Sequence, residues 1–168
     1  MKPIVDAMRK LGAGQAQALA VSDYSVANLR LLQGDLKPRS SLSCEYLRAS
    51  AYFGEVLRRD LSGEWIPSSS SNRSRSGAPQ IQIGKWTIDP LYQVQIALEE
   101  NAEMALDQRA QFIIEAVREG KESEALNRSY EFPTAWQRIR SAMRAYRYQS
   151  LVFRCAGQED DNVVDFLP

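Results

Sequence analysis

The 168-residue chain contains no histidine. That one absence removes Ser-His and Cys-His nucleophile pairs, histidine metal ligands and histidine acid–base catalysis together. Cysteine is nearly missing as well, with Cys44 and Cys155 as the whole supply. Two cysteines make neither a disulfide framework nor a zinc site. Each is expected to be a small buried apolar residue, and a single bridge between them stays open. No run of 18 apolar residues occurs, so no membrane span is expected. Asp6, Arg9 and Lys10 break the N-terminal segment before it could serve as a secretory signal. The expected compartment is the reducing cytoplasm. Neither G-x-x-x-x-G-K-[ST] nor G-x-G-x-x-G is present, and Gly12-Ala13-Gly14 lacks the preceding strand that a phosphate cradle needs. No cofactor, metal site or catalytic residue is expected, and the chain is read as a non-enzyme.

Excess charge of either sign is lacking too: 21 basic and 21 acidic residues cancel. A dedicated nucleic-acid binder is usually strongly basic, so neutrality argues against that class. Hydrophobic content of 44% and charged content of 25% are those of a folded globular chain, and the length suits a single domain spanning 1–168.

The apolar spacing is mostly helical. Residues 4–20 offer a helix through Val5, Met8 and Leu11, which Gly12 and Gly14 are expected to break or weaken. Ser25 is placed to cap a helix through Val26, Leu29 and Leu32, stopped by Gly34 and Pro38. A third helix, capped by Ser40 or Ser41 and ended by Gly63, carries Leu42, Tyr46, Ala49, Phe53 and Val56 on one face. Ala49, Ala51 and Gly54 within it predict close approach of another element. Glu55 follows Gly54, and Arg58 and Arg59 stand three and four positions on, the spacing of a helical ion pair.

A small β section follows. Trp65-Ile66 is a candidate strand, Gln80-Ile81-Gln82-Ile83 alternates with period two, and Trp86-Thr87-Ile88 returns after the Gly84-Lys85 turn. Ile81, Ile83, Trp86 and Ile88 then share one buried face. The serine-rich stretch 67–79 has no large apolar residue to bury and is expected to be a flexible loop. Asp89-Pro90 starts a helix through Leu91, Val94 and Leu98. A continuing or second helix holds Leu106, Ala110, Ile113 and Val117 and ends at Gly120. A short helix around 122–128 and a long one from Pro133-Thr134 follow, the latter with Trp136, Ile139, Met143 and Tyr146 on one face. The tail, 157–168, is acidic. The fold class is α+β: a helix-dominated single domain with a small antiparallel hairpin or three-stranded meander.

Charge is unevenly placed along this order. Glu99, Glu103 and Asp107, spaced by four, line an acidic helical stripe, and Arg140, Arg144 and Arg147 share a basic face. These segments and the acidic tail either neutralise one another inside the fold or present partner-binding faces.

The strings Tyr52-Phe53-Gly54-Glu55-Val56-Leu57-Arg58-Arg59, Gly63-Glu64-Trp65 and Ile88-Asp89-Pro90 follow a short Ser-capped helix at Tyr24–Leu29. Over residues 24–106 this pattern resembles small uncharacterised bacterial cytoplasmic proteins, some associated with polymorphic-toxin immunity. The resemblance implies a scaffold that binds and neutralises a cognate protein toxin, and it carries no catalytic or binding residues. On that reading the acidic stripe of Glu99, Glu103 and Asp107 is the candidate partner-binding face. The alternative is a nucleic-acid-associated regulator using Arg140, Arg144 and Arg147. An enzyme working through carboxylate or arginine chemistry has no positive support.

Overall fold

The computed structural model describes residues 2–21, 23–36, 43–67, 78–98, 104–121 and 147–157. The elements run α1 (Lys2–Ala18), a 3₁₀ turn (Val26–Asn28), α2 (Leu29–Asp35), α3 (Cys44–Asp60), β1 (Glu64–Ile66), β2 (Gln80–Ile83), β3 (Trp86–Ile88), α4 (Pro90–Ala97) and α5 (Leu106–Arg118). Helical backbone returns over 147–155. This is the α+β class expected, helix-dominated with a three-stranded antiparallel sheet in the order β1-β2-β3.

The central element is α3. It is buried without a break from Ala49 through Leu57, so it shows no polar face over that stretch. A helix buried all round is one wrapped by other elements, and α1, α4, α5 and β2 pack on it. The expected single face was therefore too narrow. Its small residues explain how so many neighbours fit. A Cβ on Gly12 of α1 would lie 3.3 Å from the Ala51 carbonyl oxygen, so α1 crosses α3 there at close range. A Cβ on Gly54 would collide with the Trp65 ring and sit 3.1 Å from Pro90 Cγ. Gly12 and Gly14 do not break α1, which runs through both.

The ends of α3 differ in detail from expectation. The N-cap is Ser43, whose side chain accepts from the Tyr46 N–H at 3.4 Å. At the other end Ser62, not Gly63, takes the left-handed conformation (φ 53°). The Gly63 N–H then reaches back to the Arg58 carbonyl at 2.8 Å, closing a Schellman-type stop. Gly63 is needed for space: a Cβ there would lie 2.7 Å from Ile83 Cγ1 and 2.9 Å from the Gln82 carbonyl oxygen.

In the sheet Trp65 faces Ile81, Ile81 faces Ile88, and Ile83 faces Trp86. Ile81, Ile83, Trp86 and Ile88 are all buried, as the period-two pattern required. Gly84 in the turn has φ +55°. Asp89 caps α4, accepting from the Tyr92 N–H at 3.1 Å, with Pro90 in the first turn. The acidic segment breaks after α4, so Leu106 opens a separate α5, and Gly120 (φ +66°) ends it. One apolar cluster runs through all of this, from Ile4 to Val152. The centre of the serine-rich stretch 67–79, the helices expected at 122–128 and from Pro133, and the tail beyond Gly157 lie outside the described residues.

The cysteines correct the expectation of two separate buried thiols. Cys44, the first residue of α3, and Cys155, in the last helical stretch, are joined in a disulfide with a Cα–Cα distance of 5.4 Å. They lie 111 residues apart in sequence, so their pairing depends on a packing that local pattern does not contain. Along the same helical stretch, Tyr148 and Val152 are fully buried and Arg147 and Arg154 are exposed. No helix among the described residues is long and apolar enough to cross a membrane.

Candidate functional site

The densest polar constellation among the described residues lies where the C-terminal end of α3 meets β1. Its centre is Glu55, only 4% exposed. Both carboxylate oxygens are engaged. Arg58 Nε donates to Oε1 and Oε2 at 3.0 and 3.1 Å, and Arg58 Nη2 donates to Oε2 at 3.0 Å. Arg59 Nε donates to Oε2 at 3.4 Å. Trp65 Nε1 donates to Oε1 at 2.7 Å. The helical spacing of Glu55, Arg58 and Arg59 is what the sequence offered. The Trp65 bond arises because the Schellman-type stop turns the chain back and Gly54 leaves room for the indole directly over α3.

Burial alone would raise the Glu55 pKa, but the hydrogen bonds from Arg58 and Trp65, with the Arg58 charge behind them, hold it below the usual carboxylate range. Glu55 is therefore an anion at neutral pH. The network extends outward through Arg59, whose guanidinium stacks 4.0 Å over the Tyr24 ring. Tyr24 in turn stacks on Tyr52 at 5.1 Å between centroids. Tyr52 donates to the Asp23 carbonyl at 3.1 Å, tying the segment before α2 to α3. Burial pushes both phenols upward, so neither supplies a phenolate at neutral pH.

Beside this network is an open depression of about 740 Å³, lined by Arg9 of α1, by Arg58 and Arg59, by the 62–63 turn and by Glu64 and Trp65. Arg9 and Glu64 are exposed at its rim. Sequence reading found the Glu55–Arg58–Arg59 triad but missed Arg9 and Tyr24. Arg9 lies 46 positions before Glu55 (55 − 9) and Tyr24 lies 31 before it (55 − 24). Only the packing of α1 and of the 23–25 segment on α3 brings them in.

Of the candidate partner-binding residues singled out from sequence, the structure describes Asp107 and Arg147, and neither lines this depression. Asp107, at the start of α5, does not stand out on an exposed stripe. Its side chain is 13% exposed and is paired with Arg30 of α2 at 2.8 Å. The reason is geometric: α2 packs on the first turn of α5, where the Gln33 side chain also accepts from the Leu106 N–H at 2.8 Å. Glu99 and Glu103, the other two members of the stripe, lie outside the described residues, as do Arg140 and Arg144. Arg147 is exposed. Acidic residues do find internal basic partners, with Asp60 of α3 on Arg118 of α5 at 2.8 Å as a second example. Comparison of the chain with family models, with curated proteins and with solved structures finds no match.

Proposed function

We propose that this protein acts by binding another protein and carries out no chemistry of its own. The observation that carries this reading is the state of Glu55. A carboxylate that works as an acid or base needs a pKa near the working pH and an open face towards a substrate. Glu55 has its pKa pushed the other way, and both oxygens are filled by N–H donors. What the network does accomplish is to fix two arginines beside an open depression, which is a means of recognition.

Within that reading the protein is an immunity protein that neutralises a cognate toxin, as the resemblance over residues 24–106 implies. Glu99 and Glu103 remain candidate contacts on the acidic stripe, while Arg30 withdraws Asp107 from it. The Cys44–Cys155 bridge bears on the compartment. Disulfides persist in oxidising surroundings and are rare in the cytosol. The bridge therefore favours an oxidising compartment over the cytoplasm expected from sequence.

The test is to co-express the chain with the product of the adjacent gene, measuring growth protection and complex formation. Protection together with a complex of micromolar Kd or tighter is expected. Neither protection nor complex would overturn the reading. Salt-sensitive retention on DNA or RNA, lost on changing Arg140, Arg144 and Arg147 to Ala, would replace it with the regulator alternative.

A further inference from the structure

We propose that the depression between α1 and the end of α3 is a docking site for an acidic segment of a partner protein. Arg9, Arg58 and Arg59 are its carboxylate-binding groups, and Glu55 and Trp65 are the residues that position them. The inference rests on the protein-binding reading and deepens it by naming the surface and the chemistry of the partner.

The first argument is preorganisation. Arginine side chains are long, and holding one still on binding loses rotamer freedom. Here that loss is taken on folding. Glu55 grips Arg58 through Nε and Nη2 and Arg59 through Nε. Tyr24 supports the flat face of Arg59. These contacts leave Arg58 Nη1 and both Nη groups of Arg59 outside the Glu55 interaction, with the depression beside them. Planar guanidinium forks in fixed positions suit carboxylates, which accept paired N–H donors.

The second argument is charge. Arg9 is exposed and, among the described residues, has no acidic partner. Around the depression Arg9, Arg58 and Arg59 stand against Glu55 and Glu64, a local net of +1 (three minus two). A surplus this small can hold one or two carboxylates. It is a poor match to a polyphosphate backbone, whose binding depends on neutralising many charges at once, and the whole chain is neutral.

The experiment is a fluorescence-anisotropy titration of the intact, oxidised chain into fluorescein-labelled hexaglutamate at low salt. Saturable binding that weakens with added salt is expected. Arg9→Glu should lower affinity about tenfold or more, and Arg59→Ala about as much. Arg154→Glu makes the same charge change near the N-terminal end of α3, about 20 Å from the site at 1.5 Å per helical residue. It should change affinity by less than about twofold. Glu55→Gln separates positioning from net charge, because it adds to the positive balance while loosening both arginines. Weaker binding is expected, with circular dichroism showing each variant folded. Tighter binding by Glu55→Gln, or equal losses for Arg9→Glu and Arg154→Glu, would overturn the proposal. So would a single-stranded oligonucleotide that binds as tightly as hexaglutamate. Absence of hexaglutamate binding by a chain that still captures the adjacent-gene product overturns the docking site and leaves the proposed function standing. Hexaglutamate binding that depends on Arg9, by a chain that captures no such partner, supports the site and sinks the toxin-neutralising assignment instead.

Discussion

At Glu55 a single side chain sets both a stability and a pH dependence. Its folded-state pKa is depressed. The stabilisation it gives is therefore complete above the unfolded carboxylate pKa of about 4.3 and is lost as pH falls through the lower folded value. Glu55→Gln keeps the size and an oxygen for Trp65 but removes the charge that Arg58 and Arg59 bind. A loss of about 1.5–3 kcal/mol at pH 7 is expected, the range for hydrogen bonds to a charged group, and no more than that because both arginines keep access to water. Urea unfolding of parent and variant should show that gap constant above pH 5 and closing towards pH 3. A gap of equal size at pH 3 would mean that the charge is not its source. Two glycines give opposite signs for the same substitution. Gly54→Ala gains about 1 kcal/mol of helix propensity. It also drives a methyl group into the Trp65 ring, and the overpacking cost, at the upper end of about 1–3 kcal/mol, outweighs that gain. Gly14→Ala meets nothing within 4 Å and should stabilise by about 0.4–1 kcal/mol. Thermal melts of the pair check both, and a more stable Gly54→Ala would show that Trp65 does not lie where it is placed. Glu55, Arg58 and Arg59 were legible because i, i+3 and i, i+4 spacing is a local property of helices. Trp65 as a fourth partner was not, since its approach depends on how the chain turns after Asp60.

At the scale of elements, the start of α4 is where sequence and structure agree most closely, because it is made within a few residues, whereas Ser25, the expected cap before Val26, makes no side-chain cap bond. Asp89 and Pro90 open α4 as their order suggests. Asp89→Ala should cost at least about 1 kcal/mol, typical for a lost N-cap. A change of less than a few tenths in the urea midpoint free energy would remove the cap from the account. The β section was equally legible: a period of two decides which residues point inward, and Gly84 decides where the hairpin turns. The capping serine of α3 was misplaced, since Ser40, Ser41 and Ser43 are alike to a local pattern. The breadth of its buried surface was missed for a different reason. Ser50, Tyr52 and Glu55 are polar, yet all three are buried, because neighbours supply the partners that water would otherwise give.

For the whole molecule the consequential feature is the disulfide. It ties the helical stretch ending near Cys155 to the start of α3, closing a loop 111 residues long. In the chain-entropy account, loops of this length are worth about 4–5 kcal/mol through restriction of the unfolded state. Replacing both cysteines by Ser, or unfolding under reductant, should therefore lower stability by about 2–5 kcal/mol, the measured range for native bridges. Denaturation with and without reductant, alongside thiol titration of protein taken directly from cells, checks both the bridge and the compartment. A free-thiol chain as stable as the oxidised one would remove the bridge from the account. Tyr148 and Val152 of this helical stretch are themselves fully buried, so the reduced chain is expected to keep it docked.

Local pattern alone was enough for most of the described elements, because helix and strand periods, the Asp89-Pro90 start and the hairpin glycine act over a handful of neighbouring residues. It determined the α+β class, since a run of helices around one short hairpin leaves little else to build. It also determined the core face of the sheet and the Glu55 ion pair. Which helix is central follows only from the packing, because the burial of α3 depends on what surrounds it. Only the tertiary structure joined Cys44 to Cys155, drew Asp107 inward to Arg30, and set Arg9 beside Arg58 and Arg59. Each of these is a contact between residues dozens of positions apart, and its partner is fixed by the packing of whole elements, which no local spacing encodes.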